Sequence, residues 1–379
     1  MDIGIPKERF PRERRVAVVP AHVPSLVDAG FTVAVERGAG EASGYSDTEY
    51  EERGAAIRDD IRSSADIILA VRAAAAAGES DPGPSKDGQT VVAFLDPYEP
   101  HDSFRTYLDR HATLLSMELI PRITRAQSMD ALSSMANLAG YRAVILAAEA
   151  LPRMFPMMMT AAGTIVPARV FVVGVGVAGL QAIATAKRLG GVVSAYDVRP
   201  AVKEQVQSLG ARFVEMDLDT NQAEGSGGYA RDMDEEFYRK QRELMGSVVA
   251  ESDVVITTAA IPGRPSPILV TAEMVTSMKA GSVIVDLAAE RGGNCELTEP
   301  GATVTRNDVT IIGPTNVASA LAHTSSQLYS RNITAFLLSM AADGKLQLNR
   351  EDEIVAATLV AADGKVPNEE MAKRLGVSA

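Results

Sequence analysis

Gly174, Gly176 and Gly179 stand at G-x-G-x-x-G spacing, and Asp197 follows Gly174 by 23 positions. Residues of these types at this spacing serve dinucleotide binding. The first glycine permits a tight turn, the second lets backbone approach a pyrophosphate, and the third lets a helix pack closely on a strand. The helix that opens there offers unpaired N–H groups and a positive dipole end to the phosphates. A carboxylate at Asp197 accepts hydrogen bonds from both ribose hydroxyls and meets a 2′-phosphate with like charge, which favours NAD(H) over NADP(H). Arg199, two residues on, weakens that preference, because an arginine there can accommodate a 2′-phosphate.

Such glycines need particular elements around them. Val170 to Val173 reads as a buried strand, Leu180 to Leu189 as a helix, and the next apolar run as a strand ending at Asp197. Glycine-rich helix starts also occur by chance, but with strand, helix and acid all in place the dinucleotide reading outweighs a purely structural turn. A second polar set lies in PRITRAQSMDALSSMAN (Pro121 to Asn137), where Arg122, Gln127, Asp130 and Ser133 crowd before a helix. The plain reading is that Asp130 caps that helix and Arg122 is solvated. The functional reading is that the turn supplies the donors and acceptors a nicotinamide carboxamide requires, with an Arg–Asp pair holding the loop and Gln127 reaching a ribose or a second cofactor.

The chain of 379 residues is long enough for two domains, and its 46% hydrophobic and 23% charged content fits a globular protein. A net charge of −12 argues against nucleic acid and anionic lipid as partners. One cysteine, Cys295, excludes an internal disulfide and a cysteine metal cluster, and suits a reducing cytoplasm. His22, His101, His111 and His323 lack metal-ligand spacing and read as surface or capping residues, so no metal is expected. No secretory signal or transmembrane helix is expected; the weakly charged run Met154 to Thr185 is broken by prolines and glycines.

The fold class expected is α/β, with two Rossmann-like doubly wound lobes joined by two long helices across an interlobe cleft. Strands are expected at Asp2 to Pro6, Phe31 to Glu36, Ala65 to Val71, Thr90 to Leu95 and Thr113 to Glu118, before the glycine motif. Between the third and fourth of these, AAAAAGESDPGPSKDG reads as a surface loop. Asp130 to Leu151 and Ser319 to Ala342 read as the long helices, and further strands fall at Asp253 to Thr257, Ser282 to Asp286 and Thr310 to Ile312. The domains are expected at 1–135 plus 325–379, and at 136–324 for the cofactor lobe. Asp217 to Glu243 departs from βαβ spacing, and reads either as a solvated insertion or as a mobile lid anchored by Tyr229.

The segments MDIGIPKE, ERRVAVVP, PRITRAQSMD with NLAGYRAV, GVGVAGLQAIATAKRLG, YDVRP, GGYARDM and LAAERGGNCE resemble the NAD(H)-binding component of proton-translocating NAD(P) transhydrogenase, over nearly the whole chain. Alanine dehydrogenase is the related family with the same two-lobed fold. Its substrate-binding lysine and acid–base histidine are matched here by Arg72 and Asp96, which removes the expected proton acceptor for amine oxidation. Glu290 stands where the dehydrogenase has an aspartate, and the glycine-rich Tyr229 loop matches the transhydrogenase alone. The resemblance implies that Arg122, Gln127, Asp130 and Ser133 hold the nicotinamide and its ribose. It implies that Val175, Gly176 and Val177 form the pyrophosphate turn, that Asp197, Val198 and Arg199 hold the adenosine ribose, and that Gly228 and Tyr229 close the site. Gln241 and Ala260 fall near further cofactor contacts.

The resemblance implies hydride transfer from NADH bound by this chain to NADP⁺ on a partner component, which needs two rings held face to face with water excluded. It further implies transmembrane and NADP(H)-binding partners on other polypeptides, a homodimer, and a cytoplasmic chain peripheral on the inner membrane. An amino-acid dehydrogenase and a catalytically silent NAD(H)-binding subunit are the alternatives.

Overall fold

The computed structural model describes residues 1–215, 235–260 and 263–377. The chain forms two compact lobes, Met1–Met135 with Ala318–Ala379, and Ala136–Val317.

The first lobe begins with strands β1 (Asp2–Ile5), β2 (Thr32–Glu36), β3 (Ala56–Arg58), β4 (Ile67–Arg72), β5 (Thr90–Phe94) and β6 (Thr113–Ser116). Short helices α1 (Val23–Asp28), α2 (Asp47–Glu51) and α3 (Ser103–Asp109) lie between them. Helix α4 (Ala131–Ala150) starts in the first lobe and runs into the second. There follow a hairpin of β7 (Met158–Thr160) and β8 (Gly163–Ile165), then β9 (Arg169–Val173), α5 (Val177–Arg188), β10 (Val192–Tyr196), α6 (Lys203–Ser208) and β11 (Arg212–Phe213). Helix α7 (Glu235–Glu251), β12 (Val254–Thr257), α8 (Ala272–Ser277), β13 (Val283–Asp286), β14 (Thr303–Arg306) and β15 (Val309–Ile312) complete the second lobe. The 3-10 turn Val317–Leu321 leads into α9 (Ala322–Ser339), after which β16 (Ala341–Ala342), β17 (Lys345–Leu346), α10 (Glu353–Thr358), β18 (Leu359–Ala361) and α11 (Glu369–Leu375) finish the first lobe.

Each lobe is built on a seven-stranded sheet, ordered β18-β6-β5-β4-β1-β2-β3 in the first and β11-β10-β9-β12-β13-β15-β14 in the second. All pairings are parallel except the edge strands β18 on β6 and β14 on β15. Both sheets therefore reverse strand order at their first strand, which places a crevice beyond the carboxyl ends of β1 and β9. Central strands buried on both faces read as continuous apolar runs, such as IILAV in β4 and VVIT in β12. In the second lobe, Val170 and Val172 pack with Ala143 and Val144 of α4 and Ile183 of α5 on one face. Phe171 and Val173 pack with Met245 and Val249 of α7 on the other.

The stretch after β4 departs from expectation. Ala74–Ser80 forms 3-10 turns, and Ala73, Ala74, Ala76 and Ala77 are buried among Phe104, Tyr107 and their neighbours. Alanine is small enough to be buried without regular structure, and its run carries no periodicity to reveal this. No helix of the described residues is long and apolar enough to cross a membrane.

Candidate functional site

In the second lobe, β9 lies between β10 and β12, so its last residue feeds the turn at the reversal point. Gly174 sits at φ +91°, a left-handed conformation disfavoured for any residue with a Cβ. Its N–H donates to the Tyr196 carbonyl at 2.9 Å, and its own carbonyl accepts from Thr258 Oγ1 at 2.9 Å. A Cβ on Gly179 would stand 1.9 Å from the Gly174 carbonyl oxygen, so only glycine brings α5 this close to the turn. A Cβ on Gly140 would stand 2.1 Å from the Ala178 carbonyl, which fixes α4 against the same helix start. Gly176 differs: a Cβ there would meet nothing within 4 Å.

Gly176 is the N-cap of α5, and no side chain caps it. The first-turn N–H groups of α5 therefore face open space over an exposed glycine, with the helix dipole behind them. A phosphate diester fits such a cradle without displacing any side chain. Val175 is buried, and Val177 opens the helix.

Asp197 ends β10 beside this turn and is buried. Its Oδ2 accepts from Val175 N at 2.7 Å and Arg199 Nη2 at 2.8 Å; its Oδ1 accepts from Arg199 N and Nε, both at 2.9 Å. Arg199 Nη2 also donates to the Val175 carbonyl at 3.2 Å. The residues Gly174, Val175, Gly176, Val177, Gly179, Asp197, Val198 and Arg199 are thus gathered around one strand end. Gln241 on α7 lies deeper: it is buried, and its Nε2 donates to Tyr196 Oη at 3.0 Å. Gly228 and Tyr229 lie outside the described residues.

Ala260 sits on the loop after β12, and two residues that sequence reasoning missed hold that loop. Asn294 Oδ1 accepts from Ala259 N at 2.9 Å, while its Nδ2 donates to the carbonyls of Ala259 and Pro267, both at 2.8 Å. Asp286, fully buried, accepts from Thr257 Oγ1 at 2.8 Å, Asn294 N at 2.7 Å, Cys295 N at 2.9 Å and Thr298 Oγ1 at 2.7 Å. A buried carboxylate with this many donors is stable and fixes the chain that supplies them. Its signal in sequence is only an acid at a strand end. Glu290 accepts from Asn316 N at 2.5 Å, tying the turn after β13 to the segment after β15.

The polar set of the first lobe lies on the 3-10 segment Thr124–Met129 and the start of α4. Asp130 accepts from Ser133 N at 2.8 Å and Ser133 Oγ at 2.6 Å, so the plain capping reading holds for these two. Arg122 and Gln127 are exposed. Three further residues position the segment and were not legible in sequence. Asn332 Nδ2 on α9 donates to the Ser128 carbonyl at 2.8 Å. Arg125 forms a two-pronged ion pair with Asp352 at 2.7 and 3.1 Å, and Asp352 in turn caps α10.

The reversal point of the first sheet carries a different chemistry. After β1 come no glycines but Lys7 and Glu8. The Glu8 carboxylate accepts from Val71 N at 2.6 Å and Arg72 N at 3.3 Å, at the end of β4. Behind it, Glu13 accepts from Arg15 Nε at 2.7 Å, Arg15 Nη2 at 2.6 Å and Arg72 Nε at 3.1 Å. The Arg72 guanidinium also lies over the Phe10 ring, 4.4 Å from its centroid. Burial pushes the Glu8 carboxyl up to about 7, with the Glu13 charge adding to the push. Burial acts the same way on Glu13, but Arg15 and Arg72 outweigh it and hold that group down at about 2. Asp96 follows β5 at φ +52°, its N–H donating to the buried Glu118 at 2.6 Å. This crevice is lined by carboxylates that already hold backbone donors, the opposite of an anion cradle.

The model for the alanine dehydrogenase/PNT N-terminal domain matches residues 4–139, and that for the C-terminal domain matches residues 143–369. The chain is 50% identical over 374 residues to the first of the polypeptides that make up the NAD(P) transhydrogenase alpha subunit of Rhodospirillum rubrum, covering 97% of each. It superposes on the crystal structure of a transhydrogenase from Sinorhizobium meliloti with a TM-score of 0.86 at 49% identity, covering 97% of this chain and 100% of that one. An L-alanine dehydrogenase structure shares the fold, with a TM-score of 0.81 at 24% identity and 99% coverage of both chains.

Proposed function

The chain belongs to the alanine dehydrogenase/PNT family, and from that premise we propose that it is the NAD(H)-binding component of a proton-translocating transhydrogenase. The observation that carries the reading is the β9–glycine turn–α5 cradle with Asp197 at the end of β10. NADH supplies the hydride at its nicotinamide C4. The chain's own residues bind, orient and shield it. The α5 N–H groups hold the pyrophosphate and Asp197 the adenosine ribose. Gln127, Arg122, Asp130 and Ser133 hold the nicotinamide end. Gln127 positions the ring and Asp130 fixes the helix start from which Ser133 projects.

Acceptance of the hydride falls to NADP⁺ on a partner, coupled to proton movement by a membrane component. The transhydrogenase relative is named as one portion of an alpha subunit, which supports the existence of such partners. The chain then sits on the cytoplasmic face of the inner membrane, held by them. A homodimer is supported by the β7–β8 hairpin, which belongs to neither large sheet. Met157, Met159 and Val166 around it are 61%, 77% and 74% exposed, and Met154 to Ala168 carries no charge. A two-stranded ribbon with so much apolar surface is marginal in water alone, and a second copy of the chain would cover it.

Alanine oxidation is disfavoured by chemistry at the first crevice. Arg72 and Arg15 are engaged by Glu13, and Asp96 offers no imidazole for proton transfer. The test is Gln127→Asn: single-turnover hydride transfer slows by at least tenfold while NADH affinity changes less than about twofold. Equal losses in both would reduce Gln127 to a binding contact.

A further inference from the structure

The Asp197 carboxylate is fully used by its own chain. Each oxygen accepts two hydrogen bonds, which fills the roughly four lone-pair positions a carboxylate has. Two of the donors are backbone N–H groups of Val175 and Arg199, fixed by the turn itself. The other two are Nε and Nη2 of Arg199, a two-pronged clamp at 2.9 and 2.8 Å. The side chains are only 14% and 6% exposed, so the pair is sheltered from water and screened little. Nη2 also reaches the Val175 carbonyl at 3.2 Å, so the guanidinium bridges the acid and the glycine turn.

We propose that Arg199 is an intramolecular competitor for the ribose site, a clip that the adenosine ribose must displace. The proposal rests on the reading that Asp197 receives that ribose. Two vicinal hydroxyls need two acceptor positions on the carboxylate, and only the guanidinium can vacate any without unmaking the turn. Displacement exchanges two charge-assisted hydrogen bonds for two bonds from neutral hydroxyls. The clip therefore loosens NADH binding, which suits a site that must release its nucleotide each turnover. It also sets discrimination. The guanidinium neutralises Asp197 and is the group to which a 2′-phosphate would pair, so Arg199 narrows the gap between NADH and NADPH that the acid alone would impose.

The test is direct binding of NADH, NADPH, AMP and 2′-deoxy-AMP to the full chain and to Arg199→Ala and Arg199→Met. The second variant keeps much of the apolar packing of the arginine stem, and thermal denaturation verifies that both fold. The expected result is NADH binding tightened about tenfold in both variants, NADPH binding weakened, and preference for AMP over 2′-deoxy-AMP increased. Weaker NADH binding in both folded variants would overturn the clip and make Arg199 an attractive contact. Equal binding of AMP and 2′-deoxy-AMP to every protein would overturn it by removing the ribose from Asp197. A parent chain that binds neither NADH nor AMP would overturn the function reading itself.

Discussion

Gly179 and the carbonyl oxygen of Gly174 approach so closely that a Cβ on Gly179 would lie 1.9 Å from that oxygen, whereas a Cβ on Gly176 would meet no atom within 4 Å. The two glycines of one motif therefore serve different ends, packing and access. Gly179→Ala is expected to destabilise the protein by about 3 kcal/mol, because backbone must shift to relieve the overlap. Gly176→Ala is expected to leave stability within about 0.5 kcal/mol and to weaken NADH binding at least tenfold. Thermal denaturation and a nucleotide titration on both variants check this. A Gly176→Ala protein that unfolds early would contradict the assignment of open space to ligand.

Asn294 spends all three of its side-chain bonds on the loop carrying Ala259 and Ala260. Asn294→Leu leaves the Ala259 N–H and two carbonyls without partners, at a cost of about 2–4 kcal/mol. Urea denaturation should show the lower midpoint with an unchanged slope. NADH binding should weaken as well, since the loop abuts Gly174.

The Arg125–Asp352 pair is exposed on the arginine side and contributes about 1 kcal/mol or less to stability. Its value lies in where it holds the Thr124–Met129 segment. Arg125→Ala is expected to leave the melting temperature nearly unchanged and NADH affinity within about twofold, while slowing hydride transfer several-fold. A transfer rate equal to that of the parent protein would show that Asn332 alone fixes the segment.

Glu8 gives a pH signature with a definite sign. Its carboxyl is held up at about 7 against an ordinary 4.5, so the folded state binds the proton more tightly than the unfolded one. Stability from this group is fully present below pH 4.5 and is lost as pH rises toward 7. Glu8→Gln removes that loss. The melting temperature of the variant relative to the parent should therefore be higher at pH 8 than at pH 5. Glu13 has the opposite sign but titrates near 2, outside this window. A difference that does not change with pH would contradict the assignment.

The α/β class and most central strands were legible because a strand buried on both faces is an unbroken apolar run, as in β4, β9 and β12. The glycine cradle was legible because each glycine answers a local backbone demand. What escaped lies in long-range pairing. The edge strands β3 and β18 are short, and their partners, β2 and β6, are set by the sheet and not by their own pattern. Asn294, Asn332 and Asp352 act on segments 35, 204 and 227 residues away, and no local spacing marks such pairs. Spacing alone marks Arg199 as a phosphate contact; that it occupies both oxygens of Asp197 depends on a side-chain conformation that spacing does not encode.

The measurement that tests the central claim most directly is single-turnover hydride transfer after rapid mixing of the NADH-loaded chain with the NADP(H)-binding component loaded with NADP⁺. The account predicts oxidation of bound NADH and formation of NADPH with one shared rate constant, lost when either protein is omitted and slowed at least tenfold by Gln127→Asn. Tight NADH binding with no transfer to that partner would contradict it, and would leave the chain a nucleotide-binding subunit without a redox step.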